Sequence, residues 1–440
     1  MDILIKIAQL FLCFTILVGI HELGHFLMAR AFKIRVEKFY IFFDPWFSLF
    51  KFKRGDTEYG LGWLPLGGYV KIAGMIDESL DTEQMKQPVR PDEFRAKPAW
   101  QRLLVMVAGV MMNVLLAIVI YCAVCYTWGD SYFSNQDAKW GYNFNPTAHE
   151  MGFRDGDRFV SIDGEEIDNV MRVQNDLLIT DGGRRVVVER GGEPVTLDIP
   201  FESLLRMRQE KAYEDLFTLR LPFIVDSVSY TSAVEAGLQS GDEVVAIDDL
   251  RDADYPRYRD YLQKHKNDKV LLTVRRDGAL IDSLALPVDA EGRIGVTVTN
   301  PYSLRTQYYT FWESIPAGIH KAGKTISSYW DQLKLIVQPK TKMYEELGGF
   351  VAIGSIFPGS WDWHDFWLKT AFLSIILAVM NLLPIPGLDG GHALFTLWEI
   401  ITRRKPSEKF LEVAQYVGLM IILALLVYAN GNDIYRFFIK

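Results

Sequence analysis

LLVMVAGVMMNVLLAIVIYCAVCY, residues 103–126, carries no charge over 24 positions. A run of that length and apolarity reads as a helix crossing a bilayer. Residues 3–27, 366–386 and 413–429 are also of spanning length. Trp361, Trp363, Trp367 and Tyr428 flank the two shorter segments as interfacial anchors. Residues 3–27 lack a positive leading region and a small-residue cleavage site, so they are expected to be a retained helix, not a secretory signal. Lys51, Lys53, Arg54, Arg95, Lys97 and Arg102 lie between the first two spans, and Arg403, Arg404, Lys405 and Lys409 between the last two. Four spans put both basic loops on one side, which the positive-inside rule makes cytoplasmic. The acidic middle, about residues 130–365, is then expected outside the cytoplasm.

A chain of 440 residues is too long for one ordinary domain. Its net charge of −8 argues against a general nucleic-acid binder, which needs a basic stripe for phosphates. Cys13, Cys122 and Cys125 all fall in apolar stretches, so the polar middle has no disulfide framework, and Cys122 and Cys125 read as packing residues. That middle contains a repeat. NPTAHEMGFRDGDRFVSIDG from Asn145 aligns with YTSAVEAGLQSGDEVVAIDD from Tyr230 at a constant offset of 85 residues. Each copy reads as a short helix closed by glycine, a Gly-Asp turn and an alternating strand. The shared pattern resembles bacterial PDZ domains, which bind extended peptides at a sheet edge. A rigid spacer is the plainer reading of the same copies.

The first span ends in His21-Glu22-Leu23-Gly24-His25. Histidines four apart share a helix face and can reach one metal ion, and the glutamate between them suits a proton acceptor. His and Glu are costly in a membrane helix and usually functional there. A catalytic zinc keeps three protein ligands and leaves a fourth position open. The third ligand is expected from residues 381–392, NLLPIPGLDGGH, where two prolines and three glycines break the third span. Such a break at membrane depth must line protein or a water-filled cavity. Asp389 is the acid in it, with His392 the competitor. Asn113 and Asn381 are polar groups in apolar spans, able either to bond substrate carbonyls or to tie helices together. Residues 49–59 alternate around Arg54-Gly55-Asp56 as a β-hairpin does, and Gly62–Tyr69 continue it as a glycine-rich, aromatic extension. Residues 306–336 read as an interfacial helix.

An H-E-x-x-H on the first span, N-x-x-P-x-P-x-x-D-G-G-H on a later one and PDZ-like copies between them resemble the site-2 protease family, in its tandem-PDZ branch. The resemblance covers nearly the whole chain, including Gly67-Gly68-Tyr69-Val70-Lys71, Phe94-Arg95-Ala96-Lys97-Pro98 and Gly109 with Asn113. It implies a multi-pass α-helical protein of a bacterial inner membrane, with four spans, a membrane-associated β-hairpin and two extracytoplasmic β-rich PDZ domains. The divisions expected are 1–129 and 303–440 for the membrane core, 130–212 for the first PDZ copy and 213–302 for the second. By the same resemblance one zinc is held by His21, His25 and Asp389, and Glu22 is the catalytic base. Asn381, Asn113, Gly67, Gly68 and Tyr69 would meet substrate. The substrate would be a single-span membrane protein, such as an anti-sigma factor, or a remnant signal peptide, cut within the bilayer by a monomeric enzyme. The PDZ copies would act mainly as a size filter. A non-catalytic membrane scaffold capturing peptides is the rival reading, and an intact Glu22 argues against it.

Overall fold

Residues 2–64, 67–75, 87–252 and 254–439 are described by the computed structural model. Two compact units divide the chain, Met1–Asp130 with Tyr308–Lys440 and, separately, Ser131–Gln307.

Four apolar helices build the first unit: Asp2–Ala31, Ala99–Trp128, Trp363–Leu382 and Glu408–Ile434. Each contains a stretch long and apolar enough to cross a membrane. The third stops at Leu382, short of residue 386, because Pro384 and Pro386 cannot continue the helical hydrogen-bond ladder. In the first span the buried positions include Gln9, Cys13, Leu17, His21, His25 and Ala29, each four residues from the next. Side chains at that spacing form one stripe, while Ile3, Leu4, Ile7, Phe11 and Leu27 stay exposed, as suits lipid. A Cβ on Gly24 would lie 2.5 Å from the Ala108 carbonyl oxygen, so glycine lets the first and second spans touch through their backbones. The Ser374 hydroxyl donates to the Asn113 carbonyl at 2.8 Å and ties the third span to the second.

The hairpin forms where the sequence places it, inside a larger sheet. Strand β1 is Val36–Ile41, β2 Phe43–Arg54, β3 Thr57–Leu64 and β4 Tyr69–Ile72, and the sheet order is β2-β3-β1-β4. Arg54 faces Thr57 and Lys53 faces Glu58 across the turn, with Gly55 at φ +64°. β3 runs parallel to β1, and β4 antiparallel to it, so among the described strands β4 is an edge. Of the extension read at 62–69, Pro65 and Leu66 lie outside the described residues. β2 exposes Trp46, Phe47, Leu49, Phe50 and Phe52. The helix read at 306–336 spans Phe311–Val337; Thr310 and Glu313 form a capping box that sets its start. Its Ala322 packs with Ala117, Tyr121, Ala371 and Ile375 of the second and third spans.

In Ser131–Gln307 the same elements occur twice in one order. Pro146–Glu150, Arg158–Ile162 and Arg184–Arg190 start 85 residues before Thr231–Glu235, Glu243–Ile247 and Lys269–Arg276. Asp163 and Asp248, also 85 apart, turn the chain with φ near +50°. Each copy has its own apolar core, around Phe153, Phe159 and Val186 in one and Val244, Tyr258 and Leu272 in the other. Phe217–Leu219 pairs with Tyr142–Phe144, so the first copy reaches past residue 212 and takes in a strand that the sequence division gave to the second.

Candidate metal centre

The helix Asp2–Ala31 continues unbroken through the histidines, which keeps them on one face with ring centroids 4.9 Å apart. Their Nε2 atoms are 3.3 Å apart. Asp389 arrives from the broken end of the third span. Gly387 turns at φ +97°, and the helix restarts at Asp389. A Cβ on Gly390 would overlap the Leu382 and Leu383 carbonyls, and one on Gly391 would lie 2.5 Å from the Ile385 oxygen. Those two glycines allow the turn that swings the carboxylate inward. Asp389 Oδ2 then sits 3.2 Å from both His21 Nε2 and His25 Nε2.

These three atoms make a near-equilateral triangle. Ligands at 2.0–2.1 Å in a tetrahedron lie about 3.3 Å from one another, so the spacing suits zinc. Lone-pair chemistry agrees. His25 Nδ1 donates to the Val105 carbonyl at 2.8 Å, which leaves Nε2 as an acceptor facing a carboxylate. Asp389 Oδ2 is buried with no hydrogen-bond partner. Acceptors crowded this closely repel unless a cation lies between them. Among the described residues, only His21, His25 and Asp389 form such a cluster; His392 lines the neighbouring cavity outside that trio.

That cavity, about 740 Å³, opens beside the triangle, and its walls include Glu22, Gly67, Gly68, Tyr69, Asn381 and Gln415. Glu22 stands beside the start of β4, its Cγ 3.4 Å from where a Cβ on Gly68 would lie. Gly68 has no room for a Cβ, which would come 2.7 Å from the Tyr40 carbonyl oxygen. Asn381 Nδ2 lies 3.3 Å from His21 Nε2.

The expected substrate contact at Asn113 needs correction. Asn113 is fully buried behind His21, its amide 3.2 Å from His21 Nδ1, and it does not line the cavity. Its Oδ1 has no partner. With the amide turned so that Oδ1 faces His21, it accepts the Nδ1 proton and leaves Nε2 free to bind a cation. Three features escaped the reading of the sequence. A Cβ on Gly109 would fall on His25 Nε2 and 2.7 Å from His21 Cε1, so the second span must have glycine where it passes the rings. Val105 offers only a backbone carbonyl, which no residue type announces. Gln415 is a polar residue buried in the fourth span.

The profile of peptidase family M50 matches residues 9–425. The chain is 27% identical to the regulator of sigma E protease of Haemophilus influenzae over 460 residues, 99% of this chain and all of that one. It is 29% identical to a "Putative zinc metalloprotease" of Clostridium perfringens, covering 96% of each chain, and 29% to one of Vibrio cholerae, covering 99% of each.

Proposed function

Because the chain belongs to peptidase family M50 and is a membrane zinc metalloprotease of the site-2 type, we propose that it hydrolyses peptide bonds within transmembrane segments of single-span membrane proteins. The observation that carries this reading is the convergence of His21, His25 and Asp389 at one point of a helix bundle long and apolar enough to lie in a bilayer. We assign these three as the zinc ligands and Glu22 as the base. Zinc held by these residues would supply Lewis acidity to polarise a peptide carbonyl and activate water near neutral pH. Glu22 takes the proton released by the attacking water and returns one to the leaving amine. Asn113 orients His21, and Asn381, in the cavity wall, meets the substrate main chain.

A transmembrane helix hides its peptide bonds, so the substrate must unwind before it is cut. The edge of β4, next to Gly67, Gly68 and Tyr69, offers main-chain partners to an extended strand. The exposed aromatic residues of β2 favour contact between this sheet and lipid. The two copies in Ser131–Gln307 are read as PDZ domains outside the cytoplasm of a cell with this chain in its inner membrane. There they would filter substrates by size. Deleting residues 131–307 behind a flexible linker is expected to admit untrimmed substrates; a folded, zinc-loaded deletion that cuts neither trimmed nor untrimmed ones would show capture instead. Cysteines at 54 and 405 should label from the cytoplasm and one at 163 from outside. Labelling of 163 from the cytoplasm would reverse the placement.

The direct test is Glu22→Gln in cells. It should keep zinc, lose cleavage and retain single-span proteins that co-purify with it. Recovery of only soluble proteins, with unchanged levels of every membrane protein, would remove the intramembrane reading.

A further inference from the structure

Polar side chains are scarce in the fourth span, and one of them is placed deep in the bundle. Gln415 is 4% exposed. Its neighbours Val413, Tyr416, Val417, Leu419 and Met420 are all exposed. The Gln415 amide makes no hydrogen bond to any described residue, yet it forms part of the wall of the cavity that holds Glu22 and Asp389. Neither amide atom is fully enclosed, so the amide faces into that cavity, where a peptide group can reach it. Gln415 also sits level with the chemistry. One turn further along, Gly418 packs so closely on Pro386 that a Cβ would overlap its carbonyl. Gly387 lies against Gly418, Leu419 and Ile422. The fourth span is therefore docked on the turn that presents Asp389.

We propose that Gln415 is a substrate-binding residue whose amide pairs with the main chain of the unwound segment, opposite β4; this rests on the intramembrane reading above. In an extended peptide, successive N–H and C=O groups point to opposite sides. Groups on one side can bond β4, which has no second strand partner among the described residues. Groups on the other face the rest of the cavity, which Leu377, Asn381 and Gln415 also line. A glutamine offers both a carbonyl acceptor and N–H donors. It can satisfy one N–H and one C=O of the outward side without reading side-chain identity. The substrate class this fits is an apolar segment held extended, chosen by how readily it unwinds.

The test uses the full chain in lipid nanodiscs with a single-span peptide substrate, comparing wild type, Gln415→Leu and Gln415→Asn. Gln415→Leu should raise KM roughly ten-fold, the loss of about one hydrogen bond of net strength, with kcat and zinc content unchanged. Gln415→Asn should recover part of the loss. An unchanged KM in Gln415→Leu overturns the proposal, and so does an equal loss of zinc in both variants, which marks a structural role. Should Gln415→Leu fail to fold, Gln415→Cys in the Glu22→Gln background provides a second readout. Oxidation should link it to a substrate cysteine beside the scissile bond, above the level seen without the new cysteine. No link at any substrate position overturns the proposal. If wild type itself cuts no single-span substrate, the intramembrane reading fails, an outcome separate from these.

Discussion

Both units of this chain enclose carboxylate oxygens, but they satisfy them differently. In Ser131–Gln307, Asp242 is fully buried, and Arg276 grips it with Nε at 2.6 Å and Nη2 at 2.7 Å while the Gln239 amide adds a third bond. Asp157 repeats the arrangement with Arg190 and the Arg154 amide. In the membrane core, Asp389 has two histidine nitrogens near Oδ2 and no hydrogen bond to that atom. A saturated carboxylate pins a fold together. One left with lone pairs aimed at other lone pairs is a place for a cation. Saturation separates the two roles, where burial alone does not.

The largest expected effect crosses the two regions. Asp389→Ala should abolish cleavage and strip zinc, which elemental analysis of the purified chain reads, while the middle unit melts as before. Arg276→Ala should do the reverse. It takes two of the three hydrogen bonds from the buried Asp242, so the middle unit should melt lower, and it keeps the zinc. Full zinc in Asp389→Ala would break the comparison and move the third ligand elsewhere, with His392 next.

A smaller loss is expected from Gly109→Ala. The added methyl would fall on His25 Nε2, and neither ring can retreat, since His25 is held to Val105 and His21 to Asn113. Misplacement of a ligand by about 1 Å costs on the order of 100-fold in rate. Near-normal rates in Gly109→Ala with zinc bound would show that the spans can slide apart to admit it.

These two positions also mark how far the sequence could be read. Asp389 was legible because an acid in a proline-broken span has few other purposes, and His21, Glu22 and His25 because their spacing fixes a shared helix face. The hairpin and the 85-residue offset were legible from local alternation and from self-similarity. Gly109 was not, because its role depends on which residue of a neighbouring helix it passes. Asn113 was misplaced for the same reason: hydropathy shows that an asparagine is in a span, and only packing shows that it points at the back of a histidine. The parallel pairing of β1 with β3 joins strands that are not neighbours in sequence, so no turn signal announces it. Gln415 carries no signal of its own in the sequence, because one polar residue in an apolar span does not say which way it faces.

Asn113 sharpens the comparison at the next scale down. If its carbonyl holds the Nδ1 proton of His21, Asn113→Ala should weaken zinc binding about 10–100-fold, as removal of a ligand's hydrogen-bond partner does. Competition with a chelator measures this without an activity assay. Asn113→Asp keeps an acceptor and should retain most of the affinity. Equal affinity in wild type and Asn113→Ala would return Asn113 to helix packing alone.

The smallest effect concerns the saturated carboxylates under acid. Asp242, Asp155 and Asp163 are held below the ordinary carboxylate range by arginines and backbone amides, and Asp289 is lowered to about 2 by Tyr230, Arg293 and the Arg293 amide. A carboxylate with a lower pKa folded than unfolded binds fewer protons when folded. Its stabilisation is therefore complete above the unfolded value, near 3.9, and is lost as pH falls through the folded one. Stability of the middle unit should stay level from pH 7 to 5 and decline between about pH 4 and 2, as followed by proteolysis of the full chain. Asp289 and Asp163 are near the surface, so salt should shrink the decline. Asp289→Asn should flatten its most acidic part. A fall in stability already between pH 7 and 5 would show that these carboxylates are not the pins of the middle unit, and the contrast with the core would narrow.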